Sequence, residues 1–109
     1  MSEMKAAVEK LAEKEFESAN QKFPMFHSEH EGYAVIREEI EEAQEYMADT
    51  KSCLGGIWAG IRGGYYDADL YKKAALDLKV SAIGLAIEAI QVAAMAHKFI
   101  DSQKGRGQG

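Results

Sequence analysis

Acidic side chains that could hold a metal ion concentrate in the stretch from Ser28 to Met47, which reads SEHEGYAVIREEIEEAQEYM. An ideal helix turns by about 100° per residue, which directs three of its glutamates toward solvent: Glu38, Glu41 and Glu45. On the same helix, Glu39 and Glu42 fall at the edge of the apolar face. Burying a carboxylate is costly unless a cation or hydrogen-bond donors compensate it. This pair therefore predicts a compensating partner elsewhere in the chain.

A third carboxylate, Glu88, stands in the middle of a segment that is otherwise apolar. The stretch from Ala74 to Ala96 is apolar on almost every side, and Glu88 and Gln91 fall within its narrow polar arc. A carboxylate in such a setting is either neutral or compensated, so we expect Glu88 to face Glu39 and Glu42. Together with the amide of Gln91 they form an all-oxygen ligand set. Such a set suits Mg²⁺, or alternatively Mn²⁺, better than zinc or iron.

Other side chains carry weaker signals for chemistry. In a glutamate-rich helix, a Glu-Glu-x-x-Glu spacing is by itself more often a solvated face than a ligand set. Cys53 has no activating partner, so we do not expect a nucleophile. His27 and His30 are either ligands or exposed residues at a helix start, and the Tyr65–Tyr66 pair either stacks on a base or packs at a helix end. Three cationic side chains either bind phosphate or are ordinary surface charges: Arg37, Arg62 and Lys73.

Composition narrows the class of protein. The 109 residues include many helix formers and one proline, which favours an all-α domain. The net charge of −5 argues against a nucleic-acid partner. The single cysteine and the lack of an apolar leader segment predict a cytoplasmic location. The most apolar stretch, Val80 to Ala96, is interrupted by Glu88 and Gln91, so we expect no membrane partner.

The helix pattern predicts a single all-α domain over residues 1–100, built as a long helical hairpin with an N-terminal helix. The three helices cover about residues 2–22, 28–62 and 68–100. Pro24 ends the first of them, because a proline disfavours helical geometry in the preceding residue. The tail from Asp101 to Gly109 is polar and glycine-rich, and we predict that it is disordered.

Local signals mark the helix ends. Ser28 and Glu31 form a capping box, in which each side chain binds the backbone N–H of the other residue. Gly63–Gly64 predicts the C-terminal cap of the second helix. Gly55–Gly56 leaves open whether that helix is continuous or breaks. Either of two aspartates can cap the third helix: Asp67 or Asp69.

The apolar residues predict how the helices pack. The first helix has apolar positions at Met4, Val8, Leu11, Phe16 and Ala19. The second has a core-facing seam at Tyr33, Ile36, Ile40, Ala43, Met47, Thr50, Leu54, Ile57 and Ile61. The third helix is apolar nearly all round and needs cover on every side. Three helices of one short chain cannot supply that cover, so we predict a homo-oligomer in which the third helices pair.

Two helix motifs carry a resemblance to a known superfamily. HEGYAVIREEIEEAQEY, from His30 to Tyr46, and IEAIQVAAMAHKFID, from Ile87 to Asp101, resemble motifs of the all-α nucleotide pyrophosphohydrolases. That superfamily includes the MazG-like and dimeric dUTPase-like proteins, and the likeness is greatest to short phage and bacterial members. Its first motif, Glu-Glu-x-x-Glu, is matched by Glu38, Glu39 and Glu42. Its second, Glu-x-x-Asp, is matched from Glu88, with Gln91 in place of the aspartate.

The resemblance implies an activity and a set of partners. Members bind Mg²⁺ through these acids, activate water, and cleave a nucleoside triphosphate to a monophosphate and pyrophosphate, mostly as dimers or tetramers. Glu39, Glu42 and Glu88 are then the catalytic and metal-binding residues, with Gln91 as a fourth ligand. Gln91 removes one charge from the set, which leaves three readings open: a slow enzyme, a nucleotide binder without turnover, or a member without activity. The alternative is a non-catalytic, phage-type structural or interaction protein.

Overall fold

The computed structural model describes residues 2–23, 25–64 and 67–107, and the side chains of these residues except 105–107. They form three helices: α1 (Ser2–Lys22), α2 (Glu29–Arg62) and α3 (Ala68–Gly107). The predicted all-α fold, a long α2·α3 hairpin packed with an N-terminal helix, is confirmed. Pro24 and the Tyr65–Tyr66 pair, on which two predictions rest, lie outside the described residues.

The predicted capping box starts α2, with one difference in its partners. Ser28 Oγ accepts a hydrogen bond from the Glu31 N–H at 3.1 Å, as the sequence predicts. Glu31 Oε1 accepts from the N–H of His27 at 3.1 Å rather than from that of Ser28. Both side chains satisfy donors at a helix start, where the backbone has no partners of its own.

Glycines in the second half of α2 do not interrupt it, and a later pair ends it. The helix is continuous through Gly55 and Gly56, which answers the question that the sequence left open. The Gly63 N–H donates to Ala59 O at 3.0 Å, and Gly64 has a φ of 71°. This left-handed conformation is the one that glycine adopts without a steric cost, so the predicted C-terminal cap is confirmed.

Asp67 caps α3 at its first turn. Its Oδ1 accepts hydrogen bonds from the N–H groups of Asp69 at 3.0 Å and Leu70 at 3.4 Å. Of the two aspartates that the sequence offered, Asp67 is therefore the cap.

The prediction of a disordered tail from Asp101 is wrong for residues 101–107, which continue α3. Ser102 explains why the helix extends. Its side chain is fully buried, and its Oγ donates to Lys98 O at 2.8 Å and accepts from the Phe26 N–H at 3.0 Å. The long-range bond to Phe26 anchors a segment whose composition alone favours disorder. Residues 108 and 109 lie outside the described part of the chain.

Internal contacts divide the chain into two units, Met1–Ile40 with Glu88–Gly109, and Glu41–Ile87. The first unit holds a small core of three buried apolar side chains: Phe26, Ala94 and Met95. Five partly buried residues pack against it: Phe16, Ala19, Val35, Ile36 and Phe99. Phe16 of α1 also stacks on His97 of α3, with ring centroids 3.7 Å apart.

The second unit consists of the C-terminal part of α2 and the N-terminal part of α3, and none of its described residues is buried. Close helix contact occurs at two glycines. A Cβ added to Gly84 would lie 2.6 Å from Cδ1 of Tyr46, and one added to Gly60 would lie 3.1 Å from Cε1 of Tyr71. The absence of a side chain at these positions lets an aromatic ring cover the neighbouring helix.

The predicted seam of α2 is only half correct. Every second member is half-buried, at Ile36, Ala43, Thr50 and Ile57. The members between them are exposed by 41 to 64 %: Tyr33, Ile40, Met47, Leu54 and Ile61. The seam therefore comprises two lines with a seven-residue spacing, and contacts within the chain cover one of them.

The length and composition of one helix meet the requirements for a membrane span. An 18-residue window within the segment Ala68–Lys104 has a mean hydropathy of 1.6, and 11 % of that window is buried. Among the described residues, no other helix is both long enough and apolar enough to span a membrane. In the sequence, Glu88 and Gln91 interrupt the most apolar stretch, Val80 to Ala96, which predicts no clean span. The expectation of no membrane partner stays a prediction.

Candidate metal site

Three carboxylates that the sequence singled out lie close together. A carboxylate oxygen of Glu39 in α2 lies within 4.8 Å of a carboxylate oxygen of Glu88 in α3. Glu42, three residues after Glu39 on α2, has an oxygen within the same distance of both. All three residues are half-buried, and Oε2 of Glu88 is shielded from solvent. We call these residues the acidic triad.

The helices explain why these three glutamates differ from their neighbours. Glu39 follows Val35 and Ile36 on the half-buried side of α2, whereas Glu38 and Glu45 are exposed. Glu88 lies on the side of α3 that also carries the half-buried Gln91. The angular assignment made from the sequence agrees with these positions.

The triad brings three carboxylates together in a partly buried place. Like charges a few ångströms apart repel, and partial burial weakens the screening that water supplies. A divalent cation would convert that repulsion into attraction, and carboxylate oxygens are the ligands that Mg²⁺ and Mn²⁺ prefer. The donor set therefore fits a hard divalent cation, and the assignment of such an ion stays a prediction.

Gln91 has a partner that the sequence analysis missed. Its Nε2 donates a hydrogen bond of 3.0 Å to Glu15 Oε2 in α1. This bond fixes the direction of the amide at the position where the resembling superfamily has an aspartate. The role of Gln91 as a fourth ligand stays a prediction. Its hydrogen bond to Glu15 limits the directions in which the amide oxygen can point.

The spacing of residues along α1 could have predicted that Glu15 is half-buried. The half-buried residues of α1 are Ala12, Glu15, Phe16, Ala19 and Asn20. Their spacing of three and four defines one helix face, and Glu15 is the acidic member of it. Of the five apolar positions that the sequence predicted for this helix, Phe16 and Ala19 lie on the same face. The other three, Met4, Val8 and Leu11, are 45 to 67 % exposed.

The remaining candidates occupy other places. Lys73 forms an exposed ion pair with Asp77 at 3.1 Å, as expected of a surface charge. His30 is exposed and Cys53 is half-buried. His27 lines a cavity of the first unit, away from the residues of the triad. Arg37 and Arg62 are exposed on α2.

Comparison with known proteins gives no relative. No protein-family model matches the chain, and neither curated proteins nor solved structures yield a significant match. The resemblance to MazG-like proteins therefore depends on the two helix motifs and on the acidic residues they contain.

Proposed function

We propose that this chain is a MazG-like, Mg²⁺-dependent nucleotide-binding protein that cleaves nucleoside triphosphates to monophosphates and pyrophosphate. The observation that carries the proposal is the acidic triad, three half-buried carboxylates with oxygens within 4.8 Å. Its members come from the two segments whose sequences resemble the superfamily motifs. Mn²⁺ is the alternative ion for the same oxygen donors.

Each residue has a defined task in this proposal. Glu39, Glu42 and Glu88 hold the ion, which, when bound, gathers phosphate oxygens, polarises phosphorus and lowers the pKa of an attacking water. Partial burial of the three side chains limits competition from solvent and strengthens their hold on a cation. Gln91 offers at most a neutral carbonyl oxygen, so we expect weak Mg²⁺ binding and slow turnover.

Thermal unfolding tests whether the triad binds a cation. We expect Mg²⁺ at about ten times its Kd to stabilise the chain by about 1.4 kcal/mol, which raises the Tm by several degrees. Glu39→Gln should be more stable than the wild type without Mg²⁺, because it removes one repelling charge, and should not respond to the ion. Glu45→Gln is the matched control, because Glu45 is an exposed glutamate of the same helix, and it should respond as the wild type does.

An assay of pyrophosphate release then distinguishes an enzyme that hydrolyses nucleotides from a protein that only binds them. A panel of nucleoside triphosphates is incubated with Mg²⁺ and the wild type, Glu39→Gln or Glu45→Gln. Release by the wild type and Glu45→Gln alone supports hydrolysis. A Mg²⁺ shift without release supports a nucleotide or metal binder. If Mg²⁺ shifts neither wild type nor control, the metal-site proposal is wrong.

A non-catalytic interaction protein is the second candidate, and the exposed apolar surface of the second unit favours it. Four apolar residues of α3 are 52 to 61 % exposed: Leu76, Val80, Ile83 and Ile87. Their spacing of four, three and four is that of a coiled-coil seam. We propose that this stripe pairs with a second copy of the chain.

A further inference from the structure

Lys98 is a charged side chain buried in the core of the first unit. The residue is 6 % exposed and lies on α3 between the buried Met95 and Ser102. An ammonium that is mostly withdrawn from water gains from an anion, from hydrogen-bond acceptors or from an aromatic face. Its Nζ lies 4.8 Å from the ring centroid of Phe26, which supplies a cation–π contact.

Within the described part of the chain, this aromatic ring is the protein contact of the Lys98 ammonium, whose Nζ keeps some contact with solvent. The ion pairs there leave Lys98 without a carboxylate within 4.0 Å of Nζ. A cation–π contact replaces part of the hydration of an ammonium, whereas an anion would form a charge-assisted hydrogen bond. The environment of Lys98 is therefore suited to a negatively charged partner.

Lys98 lines a cavity of about 390 Å³. This volume lies in the range of roughly 300–1,000 Å³ that is usual for small-molecule sites. Its apolar wall consists of Phe23, Phe26, Val35 and Met95. A mostly apolar cleft with one cationic group is the arrangement that binds an organic anion with an apolar body.

Two further polar residues face the cavity, Glu31 and His27. Glu31 Oε1 is bound by the His27 N–H at the N-terminus of α2, where the helix dipole favours negative charge. The Glu31 carboxylate is thus compensated independently of Lys98. It also repels any ligand with more than one negative charge, which favours a monocarboxylate over a phosphate monoester.

We propose that this cavity binds a small monocarboxylate, whose carboxylate pairs with the Lys98 ammonium and whose aliphatic or aromatic body lies against Phe26, Val35 and Met95. Phe23, which is 67 % exposed, also lines the cavity and adds to its apolar wall. The site involves none of the triad residues, so it stands or falls independently of the metal proposal.

The test compares hexanoate with hexanamide, which has nearly the same shape and no charge. The full chain is titrated with each compound, and backbone amide shifts are followed by NMR at Phe26, Gly32 and Ser102. We expect hexanoate to bind at least about tenfold more tightly, the change in affinity given by one charge-assisted hydrogen bond. Equal affinities for the two compounds, or no shift at these amides, would overturn the proposal without the need for any variant.

Two lysine variants locate the charge that is recognised. Lys98→Met keeps an unbranched apolar chain in the core, and we expect it to bind hexanoate and hexanamide equally. Lys104→Met is the control, because Lys104 is an exposed lysine on the same helix and its variant should keep the tenfold preference. If Lys98→Met keeps the preference, or Lys104→Met loses it, the carboxylate does not pair with Lys98.

Discussion

At the residue scale, the hydrogen bond between Gln91 and Glu15 joins positions 76 residues apart, and Gln91 lies one helical turn after Glu88 of the acidic triad. The glutamine amide supplies a hydrogen-bond donor to a half-buried carboxylate. An aspartate at the same position would add a fourth carboxylate to the proposed ligand set and with it another negative charge. Gln91 therefore weakens the proposed ligand set, and the same side chain donates the hydrogen bond that Glu15 accepts.

We predict that Gln91→Asp lowers the free energy of unfolding by roughly 1–3 kcal/mol without Mg²⁺, because a part-buried hydrogen bond to a charged group is lost. Millimolar Mg²⁺ should then stabilise this variant more than it stabilises the wild type. Urea unfolding with and without Mg²⁺ measures both effects.

The double variant Glu15→Gln/Gln91→Asp is the control for that experiment, because it exchanges donor and acceptor. It should recover most of the stability lost by Gln91→Asp. Equal stability of Gln91→Asp and wild type without metal would show that this hydrogen bond contributes nothing measurable.

At the element scale, two helix glycines, Gly84 and Gly55, have opposite roles. Gly84 of α3 lies under the ring of Tyr46, and a Cβ there would lie 2.6 Å from Cδ1 of that ring. Gly55 of α2 has nothing within 4 Å of the corresponding position. The first glycine permits helix contact, whereas the second only weakens the helix that contains it.

We predict that Gly84→Ala lowers the free energy of unfolding by roughly 1–3 kcal/mol, because the ring of Tyr46 must move away. Gly55→Ala should raise it by about 1 kcal/mol, the difference in helix propensity between the two residues. Urea unfolding midpoints measure the change in stability of both variants. A gain in stability for both variants would mean that the Tyr46 ring is free to move at no cost.

At the scale of the whole molecule, the buried apolar surface is small for three helices of this length. Among the described residues, the buried apolar side chains are those of Phe26, Ala94 and Met95. Large exposed apolar patches mark interaction surfaces, and here they follow coiled-coil spacing on α3. A second copy is the occupant that we propose, because Glu88 and Gln91 within α3 would be costly in a bilayer.

We predict that Ile83→Glu breaks the assembly, because it places a charge in the middle of the exposed α3 stripe. Light scattering after size exclusion should give a mass of two or four chains for the wild type and of one chain for the variant. Ala75→Glu is the control, since Ala75 is exposed and lies roughly 110° away from the stripe on the helix. A wild-type mass of one chain, or partition of the wild type into vesicles, would contradict the proposed pairing.

Features that depend on residues within one or two helical turns follow from the sequence alone. The caps at Ser28 and Asp67 and the glycine stop at Gly64 follow from local hydrogen bonds and backbone freedom. The angular separation of Glu39 from Glu38 follows from helix periodicity. For these reasons the helices and the edge positions of two triad members were predictable.

Tertiary structure decided which surfaces meet. It covered one of the two apolar lines of α2 and left the line of Ile40 and Met47 exposed. It gave Gln91 a partner in α1, and it held the polar tail in a helix by bonding Ser102 to the Phe26 N–H. These outcomes depend on contacts between residues far apart in the chain, so local propensity and periodicity do not contain them.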